Sequence, residues 1–197
     1  MLGAMGKAKH TPAFTIVELL IVIIVIAILA TIVTVAYNGL NRRASNAQTI
    51  DAAKEWAKIV QQYIVANGYP TYDTSTGNGS YEQFPCLGTG YPGGVCASTT
   101  NTNVVGAGVS YPSTAFLNKM KTITPSVPAP SFQTVYFSGQ PHVGGFVNLG
   151  VSGAGPVSIS FFLKGGSDVT CTDLGIGSIT EKNRSGDGVY CGVNNIQ

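Results

Sequence analysis

The sequence predicts an α+β chain: a long N-terminal helix, apolar in its first half and amphipathic in its second, packed on an antiparallel β-sheet head. Three observations predict it. From Leu19 to Tyr37 there is no Lys, Arg, Asp, Glu, Pro or Gly. From Leu40 to Ala66 apolar residues recur at alternating spacings of three and four, the repeat of one helix face. Beyond residue 130, strand-like runs are separated by short Gly-rich connections, which suits an antiparallel sheet.

The first element is Phe14–Tyr37, FTIVELLIVIIVIAILATIVTVAY. At ~1.5 Å per residue it makes a helix of roughly 36 Å, enough to cross a hydrocarbon core of about 30 Å. Glu18 is its single charge. A carboxylate in that setting costs about 2.5–3.5 kcal/mol on insertion scales, so it marks a functional site and needs a partner. Before the run stands a short leader, Met1–Ala13, with Lys7, Lys9 and His10, ending in Thr11-Pro12-Ala13. A cut after Ala13 would leave Phe14 as a new amino terminus, its ammonium on the same helix face as Glu18. A secretory signal has an apolar region of only about 7–15 residues, and a plain anchor leaves Glu18 without a purpose.

Ala13 followed by Phe14-Thr15-Ile16-Val17-Glu18-Leu19-Leu20-Ile21-Val22 resembles the leader and N-terminal motif of type IV pilins and type II secretion pseudopilins. Gln61-Gln62-Tyr63-Ile64-Val65-Ala66-Asn67-Gly68-Tyr69-Pro70 resembles the turn that ends the long helix in the same family. The resemblance covers these two stretches of the first seventy residues and nothing specific beyond them. It implies cleavage between Ala13 and Phe14 by a prepilin peptidase on the cytoplasmic side, with N-methylation of Phe14. It also implies that Glu18 pairs with the terminal amine of a neighbouring subunit during assembly. The implied partners are further copies of this chain in a helical filament, other pilins, the peptidase, an assembly ATPase with its platform protein, and the membrane. The implied location is the cytoplasmic membrane as a single-pass precursor, then an extracellular pilus. Two residues depart from the family pattern: Ala13 stands where Gly is usual, and Val35 where many pilins have Pro.

The expected function is the structural subunit of a type IV pilus-like filament, serving adhesion, twitching motility or DNA uptake. The alternative is a pseudopilin of a type II secretion or competence system. A third class, an anchored enzyme or binding module, would share only the hydrophobic N-terminus. The residues divide as leader 1–13, apolar helix 14–38, amphipathic helix 39–68, variable loop region with a short helix 69–130, and β-sheet with a disulfide-bonded C-terminal region 131–197.

The second half of the helix carries its apolar stripe on Ile50, Ala53, Ala57, Val60 and Ile64, widened by Trp56, Ile59 and Tyr63. Asp51, Lys54, Glu55, Lys58, Gln61 and Gln62 fall on the wet face, with Asp51–Lys54 and Glu55–Lys58 at i,i+3 spacing. Asn38-Gly39 is a soft point, or a competing break, since Gly costs about 1 kcal/mol relative to Ala in a helix. Asn67-Gly68 with Tyr69-Pro70 behind it ends the helix. A short helix is expected over Ser113–Thr122, then strand-like runs at Phe132–Ser138, His142–Leu149, Val157–Leu163, Ser167–Thr172, Gly177–Lys182 and Gly188–Val193. Val157, Ile159, Phe161 and Leu163 alternate with Ser158, Ser160 and Phe162, the period of a half-buried strand.

Eleven basic and nine acidic side chains become nine and nine once Lys7 and Lys9 leave, so no nucleic-acid footprint remains and direct nucleic-acid binding is not expected. Positive-inside counting is nearly balanced between Lys7 and Lys9 on one side and Arg42 and Arg43 on the other. Cys86, Cys96, Cys171 and Cys191 all follow the apolar run, and an even count in an exported domain points to two disulfides. Three connectivities are open; proximity favours Cys86–Cys96 and Cys171–Cys191. No metal or cofactor is expected: there is no C-x-x-C, and His142 is the one histidine outside the leader. Some pseudopilins hold a loop calcium, which would fall on 168–173 and Asp187, without EF-hand spacing. The sequons at Asn78 and Asn183 are common by chance. No Ser elbow, phosphate loop or H-E-x-x-H is present, so no enzyme activity is expected.

Overall fold

A computed structural model describes residues 15–71, 83–91, 94–98, 109–110, 112–137, 139–149, 156–166, 168–171 and 178–197. The chain divides into two units, Met1–Asn41 and Arg42–Gln197. In the first, helix α1 (Ile16–Asn67) begins, and its side chains from Ile16 to Tyr37 are exposed. The hydroxyls of Thr31 and Thr34 donate back to Ile28 O and Ala30 O at 2.7 and 2.8 Å, which satisfies two polar groups inside the apolar run. Gly39 is helical rather than a break, and α1 continues through it. It is the one described helix long and apolar enough to cross a membrane.

In the second unit the later turns of α1 form one wall of the main core. Ala53, Trp56, Ala57, Ile59 and Val60 are buried there, and Ile50, Tyr63 and Ile64 pack partly buried against them. Thr49 and Ala52 extend this face. Asp51, Glu55, Lys58 and Gln62 are exposed. Among the described residues the ion pairs are Arg42–Asp168 and Lys164–Asp187, not the i,i+3 pairs of the helix. Gly68 stops α1 at φ +80°, its N–H donating to Ile64 O at 2.8 Å. A second helix, α2 (Thr114–Met120), is shorter than the expected Ser113–Thr122 because Ser113 is its cap, accepting from Phe116 N.

Two antiparallel four-stranded sheets complete the unit. The inner sheet runs β5 (Gly145–Asn148), β6 (Val157–Lys164), β8 (Gly188–Ile196), β7 (Ser178–Ser185). The outer sheet runs β2 (Val109–Ser110), β1 (Ala97–Ser98), β4 (Gln140–Val143), β3 (Thr134–Phe137). The first two outer strands come from the stretch read as loop, where the sequence has no apolar alternation to mark them. The open edge of β5 is covered by residues 83–87 through Val147 N to Pro85 O, Leu149 N to Gln83 O and Leu87 N to Gly145 O, at 2.8–3.0 Å.

Three strand expectations are corrected. The run His142–Leu149 is two strands in two different sheets, because Gly144 at φ +63° turns the chain from β4 into β5. Strand β6 is not half-buried: Val157, Ile159, Phe161 and Leu163 face the helix core, and Ser158, Ser160 and Phe162 are buried too. The outer sheet covers that second face. Residues 168–171 are not strand; Asp168 bends back to accept from Gly166 N and the segment ends at Cys171, which is disulfide-bonded to Cys191.

The inner sheet therefore separates two cores. Residues of α1, α2 and one sheet face make the larger; Phe84, Cys86, Tyr91, Val135, Phe137, Val143, Phe146, Phe162 and Tyr190 are among those making the smaller, aromatic one. Cys86 and Cys96 are bonded to each other inside the second. Side chains of α1 hold the rest of the unit directly. Asn46 donates to Lys164 O and accepts from Lys164 N, both at 2.9 Å. Trp56 Nε1 donates to Pro128 O at 2.8 Å, which lays the Pro-rich segment along the helix.

Candidate functional site at the head of the apolar helix

Glu18 lies in the first turn of α1, where the unpaired N–H groups and helix dipole favour an acid. Thr15 sits three residues before it, just ahead of the helix. Thr15 N donates to Glu18 Oε2 at 2.8 Å, the Thr15 hydroxyl donates to the same oxygen at 2.9 Å, and Glu18 N returns a hydrogen bond to Thr15 Oγ1 at 3.2 Å. This is a reciprocal capping box, Thr15-Ile16-Val17-Glu18. The acid's first partner is thus its own chain. Both Thr15 donors converge on Oε2, and Oε1 receives no hydrogen bond from a described residue.

Around the carboxylate the surface is apolar and open. Ile16 is 85 % exposed, Val17 65 % and Leu19 64 %, so Glu18 stands on a helix with no protein around it. Such a surface needs a non-aqueous surrounding, either lipid or other helices. Ala13 and Phe14, the expected cleavage pair, lie outside the described residues. The S/T-x-x-E spacing of Thr15 and Glu18 is the sequence signal of this cap.

The other candidate residues do not gather into a second site. His142 is buried on β4, its ring stacked on Phe162 at 4.2 Å, and burial lowers its pKa to about 4. A general base near neutral pH would need water or substrate beside it, and this ring has aromatic neighbours. Asp168 is engaged by Arg42 and by Gly166 N. Asp187 accepts from Tyr136 N at 2.7 Å and faces Lys164 Nζ at 3.6 Å. Both carboxylates are therefore committed to protein partners, and the described residues contain no group of three or more metal-ligating side chains. The tail segment from 172 to 177, including Asp173, lies outside the described residues, as do Asn78 and its sequon.

A model of the prokaryotic N-terminal methylation motif matches residues 9–34, a span that includes the capping box and the first part of the apolar helix. The chain carries the prepilin signature. This signature is that of type IV pilins and pseudopilins, and it joins a processing motif to the one long apolar helix of the fold. No curated protein and no solved structure matches the chain. The prepilin signature points to a structural subunit rather than an enzyme.

Proposed function

We propose that this chain is the structural subunit of a type IV pilus-like filament, released from its leader by a prepilin peptidase and polymerised through α1. The observation that carries the reading is Glu18: an acid on a fully exposed apolar helix, within a segment matched by the methylation motif. As a waiting precursor the subunit sits in the cytoplasmic membrane, and the Thr15 cap gives the carboxylate two donors that soften its burial in lipid. Cleavage between Ala13 and Phe14 exposes an N-methylated amine. In the filament, a neighbour's amine meets Glu18 at the free Oε1, while Thr15 keeps Oε2 in place. A buried charge left unpaired is far costlier than a paired one, so this contact sets the axial register between copies.

Assembly on this reading uses an ATPase and platform protein to draw subunits out of the bilayer, with other pilins as filament neighbours. The disulfides Cys86–Cys96 and Cys171–Cys191 brace the head after export. The test has two parts. Mass spectrometry of surface material is expected to find the mature chain starting at N-methylated Phe14. Electron microscopy of sheared cells is expected to find long fibres containing this chain, lost in a Glu18→Ala strain and not restored by Glu18→Gln. Fibres at ordinary abundance in Glu18→Ala cells would refute the assembly role; a processed chain without surface fibres would favour a secretion pseudopilin instead.

A further inference from the structure

The aromatic core between the two sheets encloses an imidazole, that of His142, which filament assembly does not use. His142 is 1 % exposed, and its Nδ1 has no hydrogen-bond partner among the described residues. The Phe137 backbone hydrogen-bonds the ring. Its plane lies 17° from that of Phe162 at 4.2 Å, with Phe137 at 6.0 Å. His142 is on β4, between β1 and β3, so it sits at the middle of the outer sheet's seat on the inner one.

The described rings beside it are apolar: β3 offers Phe137 and β6 Phe162. The same layer holds Phe146, Tyr190, Tyr91 and the Cys86–Cys96 disulfide. Tyr190 and Tyr91 are the titratable groups among these. Burial raises the pKa of both, and their hydroxyls donate to Ser160 Oγ at 2.8 Å and to Leu87 O at 2.7 Å. The charged groups among the described residues near this layer, Asp187 and Lys164, stand at its rim and face each other. An imidazolium at His142, buried to 1 % exposure, would therefore meet no acid among the described side chains around it.

We propose that His142 is an acid-operated latch between the two sheets: a proton on Nδ1 unseats the outer sheet while the helix-backed core stays closed. The outer sheet is the part that yields because its strands are two to four residues long and none of its described side chains joins the α1 core. What else holds it to the inner sheet is the packing of Val135, Phe137 and Val143 with Phe146, Phe162 and Tyr190, Phe162 N to Gly144 O at 2.9 Å, and Asp187 to Tyr136 N. The Cys86–Cys96 bond keeps it tethered, so the opening is reversible. With the closed-state pKa depressed from 6.5 to about 4, the open state binds the proton first. The closed form's advantage is complete above about pH 6.5 and is lost as pH falls toward 4, a change of roughly 300-fold in the opening equilibrium.

This inference is independent of the filament reading. It is tested on the full chain in detergent micelles by amide hydrogen exchange, corrected for intrinsic rates, at pH 7 and pH 4. The β3–β4 amides and Val143 N–H are expected to lose about 100-fold or more of their protection, while β6–β8 amides change less than about tenfold. His142→Phe is expected to keep the outer sheet protected at pH 4, whereas Asp187→Asn retains the wild-type pH dependence. Equal loss in both sheets, an outer sheet that stays protected in wild type, opening in His142→Phe, or abolition of the effect by Asp187→Asn would each overturn it. Should His142→Phe not fold, the wild type decides: loss of β3–β4 amide protection with the same pH midpoint as the His142 ring titrated by NMR supports the latch, and a ring that titrates while the outer sheet stays protected refutes it.

Discussion

Asn46 offers a sharp test of how the helix is tied to the sheet. Its carboxamide reads both polar groups of one residue, donating to Lys164 O and accepting from Lys164 N at 2.9 Å each, at the end of β6. Asn46→Ala removes two hydrogen bonds of about 1 kcal/mol apiece and leaves two part-buried backbone groups to find water. A loss of about 2–3 kcal/mol is expected. For a head of this size, each kcal/mol is worth about 2–4 °C, so the midpoint should fall by roughly 4–12 °C. Trp56 is the only tryptophan, is fully buried, and lies on the same helix, so its fluorescence reports the transition. Asn46→Asp sharpens the test, because it keeps the acceptor for Lys164 N but sets a carboxylate oxygen against Lys164 O. It should be at least as destabilising as Ala at pH 7 and recover part of the loss in acid, when the carboxyl can donate again. A midpoint within about 1 °C of wild type for Asn46→Ala, or an Asp variant as stable as wild type, would refute the argument.

Three further outcomes follow from the packing. Gly144→Ala places a Cβ 2.7 Å from Pro130 Cγ and 3.0 Å from the Tyr91 ring, at a positive φ, and should cost about 2–4 kcal/mol by thermal unfolding. Trp56→Phe loses the Nε1 bond to Pro128 O and should cost about 1–3 kcal/mol, against about 3–5 for Trp56→Ala, both followed by far-UV circular dichroism in denaturant. Replacing Cys171 and Cys191 together by Ala opens a loop with sequence separation 20 and should cost about 3 kcal/mol, read as a lowered denaturant midpoint.

Much of the helix was legible because its signals are local. The stripe through Ala53, Trp56, Ala57 and Val60 repeats at helical spacing, and the same residues line the main core. Gly68 marks the stop because only a left-handed backbone ends the helix there. The sheet was legible in kind but not in layering. Ser158 and Ser160 look like solvent positions in a strand, yet they are buried, because what covers them is a second sheet built from residues 97–143, distant in sequence. Nothing in a period-two pattern distinguishes water from another polar-tolerant layer. Gly144-Gly145 reads as a flexible pair within one strand, whereas the structure uses it to pass between sheets. At the head of the apolar helix Glu18 was legible from its isolation among apolar neighbours, whereas the S/T-x-x-E spacing alone also permits an outward-facing acid and does not fix its hydrogen bonds to Thr15.

The separation of the two cores also governs how this protein can be rewritten. Val135, Phe137 and Val143 pack with Phe84, Tyr91, Phe146, Phe162, Tyr190 and the Cys86–Cys96 disulfide, and among the described residues no helix side chain belongs to that cluster. A library confined to the exterior layer could therefore be searched for new surfaces while the long helix and its backing remain untouched.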